Sequence, residues 1–302
     1  MTLQQLRYVT AVADHGSMNE AAKMLYVSQP SLSGAVKELE EEVGIEIFKR
    51  TNKGVLLTPE GEEFLAYARQ LLDQYQLLED RFVRRTQVKK KFSVSMQHYS
   101  FAVKAFVELV KQYGMDEYEF AVYETKTGEV ISNVRNFRSE IGILYENAFN
   151  RQAINKLLKE NNLEFQKLFT CGTYAYLWKG HPLASNREIR MEELAEYPCL
   201  AFDQGDTSAF FLAEEVMSTY DYKRVIRAND RATMLNLMVG LNGYTLCSGI
   251  ICEELNGSDY CAVPLAEKEC MDIGYIRRVG MLMSPLAQRY LEELQKYEDY
   301  LL

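Results

Sequence analysis

Histidine is scarce in this chain, at three of 302 residues, and no cysteine precedes Cys171. No stretch reaches the ~18 consecutive apolar residues of a membrane-spanning helix. The opening MTLQQLRYVTAVADHG alternates polar and apolar residues and lacks the unbroken apolar run of an export signal. These absences lead to the expectation of a soluble, cytoplasmic protein with no membrane partner. The six cysteines (Cys171, Cys199, Cys247, Cys252, Cys261 and Cys270) show no C-x-x-C spacing, and His15, His98 and His181 are far apart in sequence. No metal site and no cofactor is therefore expected. The cysteines read as small buried residues, with a redox-responsive thiol as the alternative. G-x-S-x-G and phosphate-cradling glycine loops are also missing, so no catalytic residue is assigned, and His98 beside Tyr99 stands as an isolated candidate base.

Positive charge is not in excess anywhere long enough to define a basic domain. Residues 1–91 hold 13 Lys or Arg and 13 Asp or Glu, while the remainder holds 21 against 30 and supplies the whole net charge of −9. A neutral front module on an acidic body suits contact with a polyanion at the front only. The length allows two or three domains with well-buried cores.

What is present begins with helical spacing. Leu3, Leu6, Val9, Val12 and Ala13 predict a helix over residues 3–14 that Gly16 ends. Ser17 then caps a second helix, with Glu20 three residues later completing a capping box and Ala21, Ala22 and Leu25 facing inward. Ser28 caps a third, in which Pro30 is tolerated because its missing N–H would be unpaired in the first turn. Leu32, Ala35, Val36 and Leu39 face the core of that helix and leave Gln29, Ser31, Ser33, Gly34 and Lys37 outside. Two short helices joined by a tight turn form the helix-turn-helix pattern. Strand-like IEIFKR and VLLT then flank Thr51-Asn52-Lys53-Gly54 and read as a wing. Amide and hydroxyl groups at the exposed helix start suit base edges, whereas Arg50 and Lys53 suit phosphates.

The run GSMNEAAKMLYVSQPSLSGAVKELEEEVGIEIFKRT, followed by LTPEG, resembles the LysR-type transcriptional regulators. That resemblance implies a helix-turn-helix over residues 18–37, with Gln29, Pro30, Ser31 and Ser33 at base- or phosphate-contacting positions and Arg50 and Lys53 in the wing. The chain departs from the usual pattern at Gly34, where Arg is common, and at Glu38, where basic residues are common.

Thr58 and Pro59 open a further helix whose signal runs to about Gln87. Phe64, Ala68, Leu71, Tyr75, Leu78 and Phe82 recur at spacings of 4, 3, 4, 3 and 4, the period of a coiled-coil seam. Leu65 and Leu72 widen the stripe, as they would on a helix packed against its own domain. The seam predicts self-association, and the resemblance implies the same. The expected domains are 1–58 for DNA binding, 59–89 for the linker helix and 90–302 for regulation.

From Phe92 strand-like FSVSM, EFAVYE and EIGILYE alternate with helical patterns, which predicts a mainly parallel sheet covered by helices. A second run, with YAYLW, CLAF, KRVIRA and YTLC as strands, starts near Leu163, and the chain returns at MDIGYIRR. The expected halves are about 92–163 with 267–302, and 164–266. Ligands bind beyond the carboxyl ends of strands in such sheets. The corresponding stretches are Gln97-His98-Tyr99-Ser100, Thr125-Lys126-Thr127, Phe202-Asp203-Gln204-Gly205-Asp206-Thr207 and Asn229-Asp230. Gln97, Tyr99, Ser100, Thr125, Thr127, Phe202, Gln204, Asp206 and Asp230 are the candidate effector contacts, and helix caps are the plain alternative. Asp203, Asp206 and Asp230 on one rim and Lys126 on the other suit a zwitterion or polar metabolite better than a dianion.

EIGIL and GHPLA extend the resemblance across this region and imply an α/β fold of two Rossmann-like subdomains, of the periplasmic-binding-protein type, with an inducer between them. The chain differs from its relatives' usual pattern at Val239-Gly240-Leu241-Asn242-Gly243 and at Gln97, where Ser or Thr is common. The expected protein is a transcriptional regulator with a winged helix-turn-helix, acting as a homodimer or homotetramer on double-stranded DNA with an interrupted palindrome and answering to a small-molecule effector. Its rivals are a solute receptor and an α/β enzyme with a DNA-binding appendage.

Overall fold

A computed structural model describes residues 1–51, 54–83, 89–113, 117–205 and 210–301. It divides into two compact units, Met1–Lys89 and Lys90–Leu302.

In the first unit, α1 (Leu3–His15), α2 (Met18–Met24) and α3 (Gln29–Val43) each begin where a hydroxyl accepts an otherwise unpaired backbone N–H. Thr2 accepts from Gln5, Ser17 from Glu20 and Ser28 from Ser31. The complete capping box belongs to Thr2 and Gln5. Glu20, expected to complete one with Ser17, pairs instead with Lys23 at 2.8 Å. Val9, Val12, Ala21, Leu32 and Leu39 are fully buried where the three helices meet. The wing strands β1 (Phe48–Thr51) and β2 (Gly54–Leu57) are antiparallel. Gly54 has φ +133°, and a Cβ there would collide with the Gly16 carbonyl oxygen, so the position takes no other residue without a shift. Thr58 caps α4 (Pro59–Leu78), which continues into a π-helical turn at Glu79–Val83.

The second unit contains a five-stranded sheet in the order β4-β3-β5-β12-β6. Its strands are β3 (Lys90–Met96), β4 (Tyr118–Glu124), β5 (Ile141–Glu146), β6 (Leu163–Gly172) and β12 (Cys270–Arg278). Helices α5 (Ser100–Lys111), α6 (Thr127–Arg135) and α7 (Arg151–Glu160) connect or follow the early strands. The expected parallel pairing holds for β3 with β4 and β5, but β12 runs antiparallel to both β5 and β6. The returning strand enters from the other half, which reverses its direction.

The other half has an antiparallel set, β7 (Tyr174–Trp178) between β10 (Thr245–Cys247) and β11 (Tyr260–Pro264). Beside it β8 (Cys199–Phe202) and β9 (Val225–Ala228) pair in parallel. Helices α8 (Met191–Leu194), α9 (Arg231–Leu241) and α10 (Glu253–Asn256) belong here, and α11 (Pro285–Gln295) closes the chain back on α5.

Two differences from the expected halves matter. Residues 163–172, most of them assigned by sequence to the second half, pair along β12 in the first sheet, and the chain crosses over at Thr173. After Phe202 the described residues 203–205 and 210–215 form a strap, and its 3₁₀ turn Phe210–Leu212 packs on the first half. Leu212 is buried against Val130, Ile131, Leu144 and Ile154. The apolar run Phe210-Phe211-Leu212-Ala213 is too short to show a period, so sequence pattern could not show which core Leu212 enters.

Candidate nucleic-acid interface and ligand cavity

On α3 the buried residues Leu32, Val36 and Leu39 leave Pro30, Ser31, Gly34 and Lys37 exposed and Gln29 and Ser33 half-buried. The Gln29 amide donates to Ser33 Oγ at 2.7 Å, and the hydroxyls of Ser28 and Ser31 lie 2.7 Å apart. These contacts order the first turn without burying its polar atoms. Lys37 stands 3.4 Å from Glu41, a solvent-exposed pair of little energetic consequence. A Cβ at Gly34 would meet nothing, so the face is flat there by residue choice and not by packing. Arg50 lies on β1; Lys53 falls outside the described residues.

The structure separates the six seam residues. Ala68 is buried and Phe64 packs against the helical core with Leu65 and Leu72. Leu71, Leu78 and Phe82 are 49%, 57% and 65% exposed, which leaves only the later part of the stripe uncovered. Tyr75 donates its hydroxyl to Glu79 at 3.0 Å, with the Arg7 guanidinium 5.6 Å from its ring.

In the second unit a cavity of about 80 Å³ lies between the two halves. The turn after β3, the strap and the starts of α9 and β10 supply charged and polar wall through His98, Glu214, Glu215, Arg231 and Thr245. Phe101, Tyr176, Phe202, Met234 and Ile250 supply apolar wall.

His98 stacks on Phe202, with centroids 3.7 Å apart and planes 4° off parallel. Its backbone N–H donates to Glu214 at 2.8 Å, and its Nδ1 lies 2.8 Å from the same carboxylate. Gln204 donates to the other Glu214 oxygen at 2.8 Å, so this buried acid is well supplied with donors. Glu215 accepts one N–H, from Phe202 at 2.9 Å, and is 7% exposed. Burial, followed by the neighbouring Glu214 charge, pushes its carboxyl up to about 8. Thr245 is also 7% exposed, and its Oγ1 has no hydrogen-bond partner among the described residues.

Of the residues expected around an effector, Tyr99, Ser100 and Phe202 line this cavity. Tyr99 turns its hydroxyl away, donating to Gln97 at 2.9 Å. Gln97 is not a lining residue: it is buried and donates to Thr127 at 2.6 Å. Thr127 is equally buried and spends its hydroxyl on the Leu212 carbonyl at 2.8 Å, fastening the strap. Its backbone N–H donates to Gln204 at 3.0 Å. Thr125, just before α6, donates its hydroxyl to Glu129 on that helix, and Asp230 caps α9 by accepting from Thr233 at 2.8 Å. Those N–H and hydroxyl donors of Thr233 hold the Asp230 carboxyl below the usual range. Asp206 falls outside the described residues. Lys126 and Asp203, expected on opposite rims, meet directly at 2.8 Å, and that contact lowers the Asp203 carboxyl.

Sequence reasoning missed Glu214, Glu215, Arg231 and Thr245. The adjacent acids inside FFLAEEVMS were the available signal, since paired carboxylates among apolar residues are costly to bury without a use. Arg231 bonds Glu124 across the cleft, directly after the Asp230 cap. Among the described residues no group of three His, Cys, Asp or Glu is placed to hold a metal ion, and no helix is long and apolar enough to cross a membrane.

This arrangement, a two-helix reading motif in one unit and a cavity lined by both halves of the other, defines a DNA-binding transcriptional regulator with an effector-binding domain. Residues 3–62 match the lysR family of bacterial regulatory helix-turn-helix proteins, and residues 100–298 match the LysR substrate binding domain, so the chain belongs to the LysR family. The Escherichia coli HTH-type transcriptional regulator YnfL is 28% identical over 202 residues, covering 67% of this chain and 65% of that protein. The E. coli dual regulator OxyR is 24% identical over 300 residues, covering 96% and 92%. A full-length OxyR variant from Pseudomonas aeruginosa shares the fold with a TM-score of 0.61 at 20% identity, covering 98% of this chain and 95% of that one.

Proposed function

We infer that this regulator acts in the cytoplasm as a homodimer or homotetramer on an interrupted DNA palindrome, and that a small polar metabolite in the cavity sets its operator affinity. The observation that carries the reading is the set of contacts, in and beside the cavity, that tie the two halves and the strap together. His98–Glu214, Lys126–Asp203, Arg231–Glu124 and Thr127–Gln204 all run from one half to the strap or the other half. A ligand that replaces some of these contacts binds open and closed arrangements unequally, as a switch requires.

In this reading Gln29, Ser31 and Ser33 meet base edges while Lys37, Arg50 and Lys53 meet phosphates. Leu71, Leu78 and Phe82 serve self-association. The chain acts as a receptor and not as an enzyme: the His98 imidazole, its one candidate base, is engaged by Glu214, whose other oxygen accepts from Gln204. A ligand is favoured over redox chemistry at the three cysteines whose thiols burial raises most. Burial pushes the thiols of Cys171, Cys199 and Cys247 up to about 12, and the thiolate is the form that oxidants attack.

The test is a footprint and operator titration of the full chain. The parent should protect two half-sites about one helical turn or a multiple of it apart. Lys126→Ala with Arg231→Ala severs two bridges, and should change operator affinity or footprint length several-fold without any ligand. Leu71→Asp should leave a folded chain that sediments as a smaller species. Protection of one half-site with binding linear in monomer, or an unchanged footprint after the bridges are cut, would refute the corresponding part.

A further inference from the structure

The cavity's charge inventory is unequal. Two carboxyls, Glu214 and Glu215, stand side by side on the strap, and the cation on the opposite wall, Arg231, has its guanidinium bonded to Glu124. Lys126 is not among the lining residues and is held by Asp203. The Thr245 hydroxyl, more than nine-tenths buried and without a protein partner among the described residues, lines the same space. A buried hydroxyl left unpaired is unfavourable, and a ligand that satisfies it gains over one that does not. His98, Ser100, Ser248 and Asn256 add polar groups to the lining, His98 being engaged by Glu214, and most of the remaining wall is apolar and aromatic.

We propose that the cavity is built for a compact amine, an ammonium head set against Glu214 and Glu215 with an apolar or aromatic body between Tyr176, Phe202 and Met234, and that it turns carboxylates away. This rests on the effector reading above and narrows it to a chemical class. An ammonium supplies N–H donors to both acids and to Thr245 Oγ1, whereas a carboxylate would bring a like charge to Glu214 inside a low-dielectric space.

The class carries a proton signature. In the free chain Glu215 is held in the protonated form by burial and by Glu214. An arriving ammonium stabilises its ionised form, so the carboxyl proton leaves for solvent on binding. Affinity should therefore rise as pH goes from 6 towards 8, while the amine, like a lysine ammonium, stays charged. The titratable and charged groups that interact with Glu215 are Glu214, Tyr99, Tyr145, Cys199, Tyr222 and Arg227. Burial raises the three phenols and the Cys199 thiol above their ordinary values, so they keep their protons through that range. His98 lines the same cavity and contacts Glu214, and a Glu215→Gln comparison separates its contribution.

Benzylamine and benzoate, similar in shape and opposite in charge, are the probes, titrated into the full chain by calorimetry at pH 6 and pH 8. Benzylamine should bind at least about tenfold tighter than benzoate, a modest demand on one charge reversal beside a carboxylate. Its binding should release a proton and strengthen with pH. Glu215→Gln should remove the pH dependence and about tenfold of the affinity, and Thr245→Val should weaken binding several-fold. Benzoate binding as tightly as benzylamine, with the binding lost in Thr245→Val, would overturn the amine class and leave the cavity standing. Binding of either probe untouched by both substitutions would place the site elsewhere and remove the effector reading as well. Failure of both probes to bind would overturn the amine class.

Discussion

The outward residues of the reading helix lie within nine positions of one another, from Gln29 to Lys37, whereas the polar wall of the cavity is gathered from His98, Glu214–Glu215, Arg231 and Thr245. The first site is a local object. A cap, a proline in the first turn and a 3.6-residue apolar stripe are enough to present its hydroxyls and amide, provided the helix forms. The second exists only because a strap from one half anchors Leu212 in the core of the other. Robustness should differ accordingly: the helix tolerates changes outside its own turns, and the cavity does not tolerate changes remote from its walls.

The sharpest way to break this comparison is Leu212→Ala. The residue lines no part of the cavity, yet truncating a buried leucine costs about 2–5 kcal/mol. Chemical denaturation should report a loss of that size in the regulatory unit. Benzylamine binding should fall with it, because Glu214 and Glu215 ride on the same strap. If stability drops and the cavity binds its probe normally, the strap does not hold the site.

Next in size is Glu215→Gln, read as stability against pH. The folded carboxyl titrates near 8 and the unfolded one near its ordinary value of 4.5, so between these the folded chain holds a proton that the unfolded chain has lost. Stability is therefore full below about pH 4.5, declines as pH rises and levels off above about 8, where the ionised group sits buried. The glutamine variant should be more stable than the parent by roughly 2–4 kcal/mol at pH 8 and equal to it near pH 4.5. Parallel curves for the two proteins would show that Glu215 ionises freely.

Gln29→Ala sharpens the other side. Losing one amide from a base edge should cost roughly 1–3 kcal/mol of discrimination at one base step in each half-site, with the melting temperature nearly unchanged. Lys53→Ala should act most mildly, weakening all sequences alike and reducing the slope of log affinity against log salt by about one per protomer. An effect of Lys53→Ala confined to particular bases would give the wing a reading role in place of a positioning one.

The same contrast explains what could be read in advance. Ser17 and Ser28 were visible as caps because a cap needs only its own next three residues, and the strands FSVSM, EFAVYE and EIGILYE were visible because alternation is local. Glu20 misled because it has two competent partners, the Ser17 backbone and Lys23, and the residue pattern does not say which is nearer. Gln97 and Thr127 were expected as effector contacts, but neither lines the cavity: their side chains bond each other, and Thr127 also fastens the strap. Strand-end position placed them; it did not say which way they would turn. The heptad spacing, likewise, joined Ala68, buried against the first unit's core, to Leu71, which is half exposed.

Sequence by itself determined the reading motif, the alternation of strands and helices and membership of the LysR family, because each depends on residues within a few turns of one another or on a matched order of such elements. Tertiary structure decided the cavity. Whether Glu215 is an ordinary surface acid or a buried carboxyl holding its proton depends on Phe202 and Glu214 being brought around it, and whether Thr245 is paired depends on what faces β10. Desolvation and charge act through space, over distances that the order of residues along the chain does not encode.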